Sequence, residues 1–168
     1  MKRILSFVFA LMMVLSLAAC GNNGDNGSEG STGSTAGVKE LVMTDVYTAI
    51  TSGVNMPEMM SVDSDMLLDL YGIKAEYCKQ SVVYICVNSL RADEIWLLEA
   101  TDAASMEALT GLVQSRLDQK DAESITYDPQ QNAIVKAAQV IEVGNYRVMI
   151  VSPDAAAIAQ AFRTQAGI

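Results

Sequence analysis

The chain has 168 residues, with 20 acidic and 11 basic side chains, a formal charge of −9 and no histidine. That length accommodates one ordinary domain with its own core. The absence of histidine excludes Ser-His-Asp and Cys-His catalysis and every metal site that depends on imidazole. The acidic balance argues against nucleic acid as a partner, because phosphates are bound by basic surfaces.

The amino-terminal residues have the composition of an export signal. Two basic residues precede a mostly apolar run over residues 4–17. A membrane-spanning helix needs about 20 apolar residues, so this shorter run is typical of a signal peptide. It leads into Leu17-Ala18-Ala19-Cys20, which resembles the bacterial lipobox, where cleavage would fall between Ala19 and Cys20. The sequence therefore predicts a lipoprotein signal peptide over residues 1–19.

Lipid attachment at Cys20 sets the expected location of the protein. An amino terminus that carries more than one acyl chain, such as palmitate, is anchored stably in a membrane. We therefore expect a bacterial lipoprotein at the cell membrane, on its extracytoplasmic face, with membrane lipid as a partner through Cys20. Cleavage also removes two basic residues and no acidic ones, so the mature chain is still more acidic. That charge favours solubility and keeps a tethered domain away from anionic lipid.

A flexible linker follows the cysteine. Residues 21–37 read GNNGDNGSEGSTGSTAG, with no aliphatic side chain larger than alanine. Such a segment cannot bury enough apolar surface to offset the entropy of ordering it. A flexible chain of this length spans roughly 23 Å. We therefore assign residues 20–37 to the lipidated cysteine and its linker, and residues 38–168 to a single globular domain.

The first part of the domain is predicted to be helical. Apolar residues recur at helical spacing over residues 38–50, and Gly53 follows as a stop signal. Asp63 is placed to cap a short helix that runs through Tyr71 and ends at Gly72. Residues 57–61, between these two helices, are ambiguous between helix and strand.

Two strand pairs and three further helices follow. Continuous apolar runs predict strands over residues 82–87 and 94–99. A helix opens at Thr101-Asp102, and a shorter one follows Tyr127-Asp128-Pro129. A strand over residues 139–143 is joined to its return strand by a turn at Gly144-Asn145. Ser152 is placed to cap a last helix, with Pro153 at its first position. This order predicts an α+β domain, in which a mainly antiparallel sheet of about four strands in two hairpins is covered by helices on one face.

Four short segments in this order resemble the small bacterial lipoproteins grouped as domain of unknown function 4358. They follow the lipobox and the linker as Leu70-Tyr71-Gly72, Ala92-Asp93-Glu94-Ile95, Tyr127-Asp128-Pro129 and Gly144-Asn145-Tyr146. The similarity would cover nearly all of residues 38–168. The family has no assigned activity, so the resemblance implies a location and an architecture but no catalytic residues.

The two remaining cysteines, Cys78 and Cys86, would lie outside the cytoplasm, where a disulfide can form. In one extended strand their thiols would be about 26 Å apart, so a bridge requires the chain to turn between them. Two separate thiols, with Cys86 in the core, is the favoured interpretation. The spacing is not the C-x-x-C of a redox site.

Asp93 and Glu94 are candidate surface carboxylates, and Tyr146 is a third surface candidate. Adjacent strand residues point to opposite faces, so the two carboxylates cannot act together on one substrate atom. A solvated strand edge or a hairpin cap is the favoured interpretation of this pair. We therefore assign no catalytic residue.

Metal sites are weakly indicated. Asp63-x-Asp65 begins like a calcium loop, but Leu67 and Leu68 occupy the next ligand and glycine positions. Four methionines have a spacing that could suit Cu(I), although Met at helical spacing is more typical of a core or a contact surface; they are Met56, Met59, Met60 and Met66. The sequence thus predicts neither a metal site nor a cofactor.

Together these features predict a lipid-anchored extracytoplasmic protein that acts as a non-catalytic binding or interaction module. Its partner would be an envelope protein or a component of the cell wall. Two alternatives remain open. The first is a histidine-free envelope enzyme that uses carboxylates, which requires a cleft with two facing carboxylates. The second is a carrier of a small ligand or a metal.

Overall fold

The computed structural model describes residues 37–168, without the side chains of residues 125–127. The predicted signal peptide, Ala19, Cys20 and residues 21–36 lie outside this range. The helices are α1 (Met43–Thr51), α2 (Ser64–Tyr71), α3 (Ala103–Tyr127), α4 (Pro129–Lys136) and α5 (Ala155–Ala166). The strands are β1 (Met59–Ser61), β2 (Cys78–Cys86), β3 (Glu94–Ala100), β4 (Gln139–Val143) and β5 (Tyr146–Val151), and a short 3-10 turn (Ala75–Tyr77) precedes β2. Within residues 37–168 no helix is both long and apolar enough to cross a bilayer.

The strands form one antiparallel sheet in the order β1-β2-β3-β5-β4. This confirms the predicted α+β domain with an antiparallel sheet. The sheet has five strands rather than about four. The additional strand is β1, in the ambiguous segment, where Met59 pairs with Cys86 at the end of β2. Three residues are too few to show the alternation by which a strand is recognised.

Helices cover both faces of the sheet, which corrects the prediction that they cover one. The central strand β3 is buried along its whole length. Ile95 and Leu97 pack in a core with α1 and α5, whereas Trp96 and Leu98 pack in a second core with α2, α3 and α4. Because successive strand residues point to opposite faces, a strand covered on both faces reads as a continuous apolar run.

Local capping signals fix several helix ends. The Asp63 side chain accepts a hydrogen bond from the Met66 backbone N–H (2.9 Å), and Gly72 ends α2 in the left-handed conformation (φ 70°). Both ends of α2 were predicted correctly. The last helix, α5, begins later than predicted. Ser152 Oγ accepts from the Asp154 N–H (3.2 Å) and so stabilises a turn before the helix rather than the helix itself.

Residues 38–42, the segment that enters the domain, precede helix α1, which begins only at Met43. Its Leu41 N–H donates to the hydroxyl of Tyr146 (3.0 Å), and its Leu41 carbonyl accepts from Gln80 Nε2 (2.8 Å). Gln80 Oε1 also accepts from the Met43 N–H (3.0 Å). Tyr146 is therefore a buried residue that fastens the entering chain to the sheet, which corrects its assignment as a surface candidate.

Candidate functional site

A cleft of about 740 Å³ lies where the start of β3 meets α3 and α4. Its lining combines apolar side chains, among them Ile85, Ala92 and Val135, with the cations Arg116 and Lys120 of α3. A volume of this size is in the range of small-molecule sites, which are usually apolar with a few convergent polar groups. This cleft is the strongest candidate for a functional site in the part of the chain that the structure describes.

Glu94 also lines the cleft, and two cations converge on it. Its side chain is 1% exposed, and its Oε2 accepts from Lys120 Nζ (2.7 Å) and from Arg116 Nη2 (2.8 Å). Its Oε1 accepts from Arg116 Nε (3.0 Å) and from the indole N–H of Trp96 (2.7 Å). We call Glu94, Arg116 and Lys120 the ion triad.

The geometry of the triad follows from the spacing of its cations on α3. Arg116 and Lys120 are four residues apart, so both project from one face of the helix toward the sheet. The Arg116 guanidinium also lies over the ring of Tyr71 (5.1 Å), and that ring packs against Trp96 (4.9 Å between centroids). Aromatic packing and hydrogen bonds therefore hold the triad in one arrangement.

The triad keeps Glu94 ionised. Burial by itself raises the pKa of this carboxyl, but the hydrogen bonds and charges of Arg116 and Lys120 outweigh burial and lower its pKa below the ordinary value. A general acid that works near neutral pH needs a raised pKa. Glu94 is therefore suited to holding cations in place rather than to donating a proton.

The lowered pKa of Glu94 predicts a loss of stability in acid. A carboxyl whose pKa is lower in the folded state stabilises the fold above its unfolded pKa, and this contribution is lost as the pH falls through the folded pKa. We expect the difference in unfolding free energy between the wild type and Glu94→Gln to be full near pH 7 and to shrink below the ordinary pKa of 4.5. Urea unfolding from pH 7 to pH 3 measures it, and a constant difference would contradict the assigned pKa direction.

Asp93 is buried as well, which corrects the prediction of a solvated strand edge for Asp93 and Glu94. Its Oδ2 accepts from Arg91 Nε (2.9 Å), while its buried Oδ1 has no hydrogen-bond partner among the described residues. The two carboxylates thus pair with cations from different elements. Their burial arises because the β2–β3 loop and α3 cover the start of β3, an arrangement of distant segments that the local sequence does not show.

The loop between β2 and β3 is fastened at one end of the cleft. The Ala92 N–H donates to Gln131 Oε1 on α4 (2.7 Å). Asp128 Oδ1 in turn accepts from the backbone N–H of Gln130 and Gln131, which caps α4. Leu90, at the mouth of the cleft, is 80% exposed. The loop therefore has an anchored base and an exposed apolar tip.

The cysteines do not form a disulfide, so that alternative is wrong. Cys78 and Cys86 are the first and last residues of β2, and both thiols are free. Burial raises the pKa of the Cys78 thiol to about 11, so it is protonated at neutral pH and is a poor nucleophile. Cys86 is buried, as the favoured interpretation expected.

The four methionines do not form one cluster. Met56 packs against the core beneath α1 and α5, whereas Met66 packs against the core on the opposite face of the sheet. Among residues 37–168, no group of three or more Cys, Asp or Glu side chains is placed to hold a metal ion.

Sequence reasoning singled out Glu94 but missed Arg116, Lys120 and Gln131. The spacing of Arg116 and Lys120 on a predicted helix was a usable signal that they share a face. Their partner, however, lies 22 residues from Arg116 in the sequence. Only the docking of α3 onto the sheet brings these groups together.

Three of the four segments that carry the family resemblance contact the ion triad or line its cleft. Tyr71 stacks on the triad, Glu94 belongs to it and Asp128 lines the cleft. No curated protein and no solved structure matches the chain. The model of the family described as "Domain of unknown function (DUF4358)" matches residues 52–152, which include the whole sheet and α2 to α4 but not α1 or α5. The match is shorter than the expected 38–168, but it covers more than half of the chain, which belongs to this family of unknown function.

Proposed function

We propose that this protein is a lipid-anchored, extracytoplasmic binding module, and that the cleft beside the ion triad is its ligand-binding site. The observation that carries the binding role is the cleft itself. It combines an apolar lining with cations that are held in place by a buried carboxylate. Preorganised polar groups in an apolar cleft are typical of a ligand site.

A non-catalytic role fits the chemistry of the cleft better than the alternative of a carboxylate enzyme. Glycosidase-type chemistry needs two carboxyl groups that face one another across a bond. Here Glu94 is engaged by Arg116 and Lys120, while Asp93 is engaged by Arg91. Glu94 also has a lowered pKa, the opposite of what an acid catalyst needs.

The anchor rests on the lipobox and on the glycine-rich linker that follows it. We expect Cys20→Ala to shift the protein from the membrane fraction to the soluble extracytoplasmic fraction or the unprocessed precursor, because no acyl chain can then be attached. Fractionation and the intact mass of the mature chain measure this. Ser28→Ala, in the linker, is the matched control and should stay membrane-bound. A Cys20→Ala chain that is cleaved to the mature length and still binds the membrane as the wild type does would overturn the anchor.

The binding role is tested by photocrosslinking in living cells. A photoreactive phenylalanine derivative is placed at Leu90, the exposed tip at the mouth of the cleft, or at Val140 on the far edge strand β4. We expect a saturable adduct from position 90 and none from position 140. Its mass distinguishes a small ligand from an envelope protein. The absence of any adduct at position 90 would overturn the cleft as a binding site.

Repeating the crosslinking at positions 90 and 140 in the Cys20→Ala variant shows whether binding depends on the membrane anchor. If the partner is a component of the membrane surface, the adduct at position 90 depends on the anchor. An adduct that persists without the anchor assigns the partner to the soluble extracytoplasmic space. Either result retains the cleft as the binding site, because that conclusion depends on the contrast between positions 90 and 140.

A further inference from the structure

The charges of the triad do not balance. One carboxylate, Glu94, faces two cations, so the triad carries one excess positive charge. The side chain of Lys120 is 9% exposed and that of Arg116 is 16% exposed. Beyond Glu94, the negative charge of Glu123 also acts on Arg116. A cation held largely away from water is stabilised further when an anion approaches it.

The two cations also have hydrogen-bond donors to spare. A lysine ammonium has three N–H donors, and the contacts of Lys120 with the described side chains use one of them, toward Glu94. Arg116 has five donors and directs its Nε, Nη1 and Nη2 to Glu94 and Gln119. Its remaining donors and those of Lys120 belong to side chains that line the cleft.

Acidic groups at the rim restrict the charge that a ligand can carry. Glu123 and Asp128 line the same cleft. Both already accept hydrogen bonds, Glu123 from Gln119 Nε2 (2.9 Å) and Asp128 from the start of α4. Their negative charge, added to that of the whole chain, disfavours a polyanion. A group with a single negative charge that reaches the triad avoids most of this repulsion.

The cleft also has an apolar lining beside the triad. Ile85, which pairs with Glu94 across the sheet, lines it together with Ala92 and Val135. Leu90 lines the cleft as well, with 80% of its surface exposed. An exposed large apolar side chain beside a cleft gains stability when it covers an apolar ligand. The charged and apolar parts of the lining together describe one amphiphilic ligand.

We infer that the cleft binds an amphiphilic monoanion, whose carboxylate or phosphate oxygens are held by Lys120 and Arg116 while its apolar part lies along Ile85, Ala92 and Val135. This inference rests on the proposed binding function and specifies the ligand class. The shared chemistry is a single oxyanion on an apolar body. A free carboxylate and a lipid fragment that carries a phosphodiester are two sources of it, and the choice of probe separates them.

The test uses the mature full-length chain in phosphatidylcholine vesicles and follows the fluorescence of Trp96, the chain's one tryptophan. Its indole donates to Glu94, so it reports directly on the triad. Hexanoate and hexyl methyl phosphate, a phosphodiester with one negative charge, are titrated at constant ionic strength, with neutral hexanamide as the matched probe. We expect saturable binding of at least one anion and none of hexanamide. Equal responses to hexanoate, hexyl methyl phosphate and hexanamide would overturn the inference.

Variants of Lys120 provide the second part of the binding test. Lys120→Gln removes a charge-assisted hydrogen bond to the anion and should weaken anion binding by about tenfold or more. Lys120→Arg keeps the charge and should retain binding. Lys136→Gln removes an exposed lysine outside the cleft and should leave binding unchanged. If Lys120→Gln fails to fold, the contrast between anions and hexanamide in the wild type and in Lys120→Arg decides the question.

Failure of this inference can be told apart from failure of the binding role. If no anion binds but the crosslinked adduct at position 90 persists, the ligand class is wrong and the cleft remains the binding site. If both are absent, the binding role itself is wrong.

Discussion

Replacing Glu94 by glutamine is expected to lower the free energy of unfolding by about 3–5 kcal/mol at neutral pH, the range found when one member of a buried ion pair is removed. The change leaves Arg116 and Lys120 largely buried without their carboxylate. An amide can accept hydrogen bonds but cannot balance their charge. Urea unfolding followed by circular dichroism measures the effect.

Glu76→Gln is the matched control for this prediction. Glu76 also forms an ion pair, with Lys74 (3.6 Å), but the two side chains are 71% and 54% exposed. Exposed pairs contribute very little to stability, because water screens their charges. Equal losses from Glu94→Gln and Glu76→Gln would show that burial does not set the strength of the triad.

Shortening Leu97 and Leu98 to alanine tests the two-sided cover of the sheet. These neighbours on β3 are both fully buried, Leu97 in the core with α1 and α5 and Leu98 in the core with α2, α3 and α4. We expect each substitution to cost about 2–5 kcal/mol, the usual loss for a buried leucine. With helices on one face only, one of the two would be exposed and would cost little.

Leu70→Ala is the control for this pair, because Leu70 on α2 is exposed and should change the unfolding free energy by less than about 0.5 kcal/mol. The same urea series compares all three variants. If either Leu97→Ala or Leu98→Ala behaved like Leu70→Ala, the corresponding face of the sheet would not be packed in solution.

The elements that were predicted closely are those fixed by neighbouring residues. The β4–β5 hairpin has the predicted first strand and turn because Gly144 adopts a positive φ (56°) between Val143 and Tyr146. Strand β2 shows the opposite case. It begins at Cys78, before the predicted residue 82, because Gln80 is paired with Glu99 and with the entering segment. A polar residue in a strand gives no local sign that a distant partner satisfies it.

The candidate site shows the same division. Glu94 was visible in the sequence as a charged residue at the start of a strand, but it was expected at a solvated edge. Its burial depends on Arg116 and Lys120, which α3 supplies from more than twenty residues away. The charge of a group is a property of its residue type, whereas its pKa and its exposure depend on what the fold places around it.

The sequence by itself determined the α+β class, the order and caps of most helices and strands, and the resemblance to the family. Those features depend on hydrogen bonds and apolar periodicity within a few residues, so they can be recognised locally. The tertiary structure alone decided which helices cover each face of β3, that Tyr146 fastens the entering chain, and that a carboxylate with two cations borders a cleft. Each of these joins segments far apart in the chain, and their contacts form only when the helices pack onto the sheet.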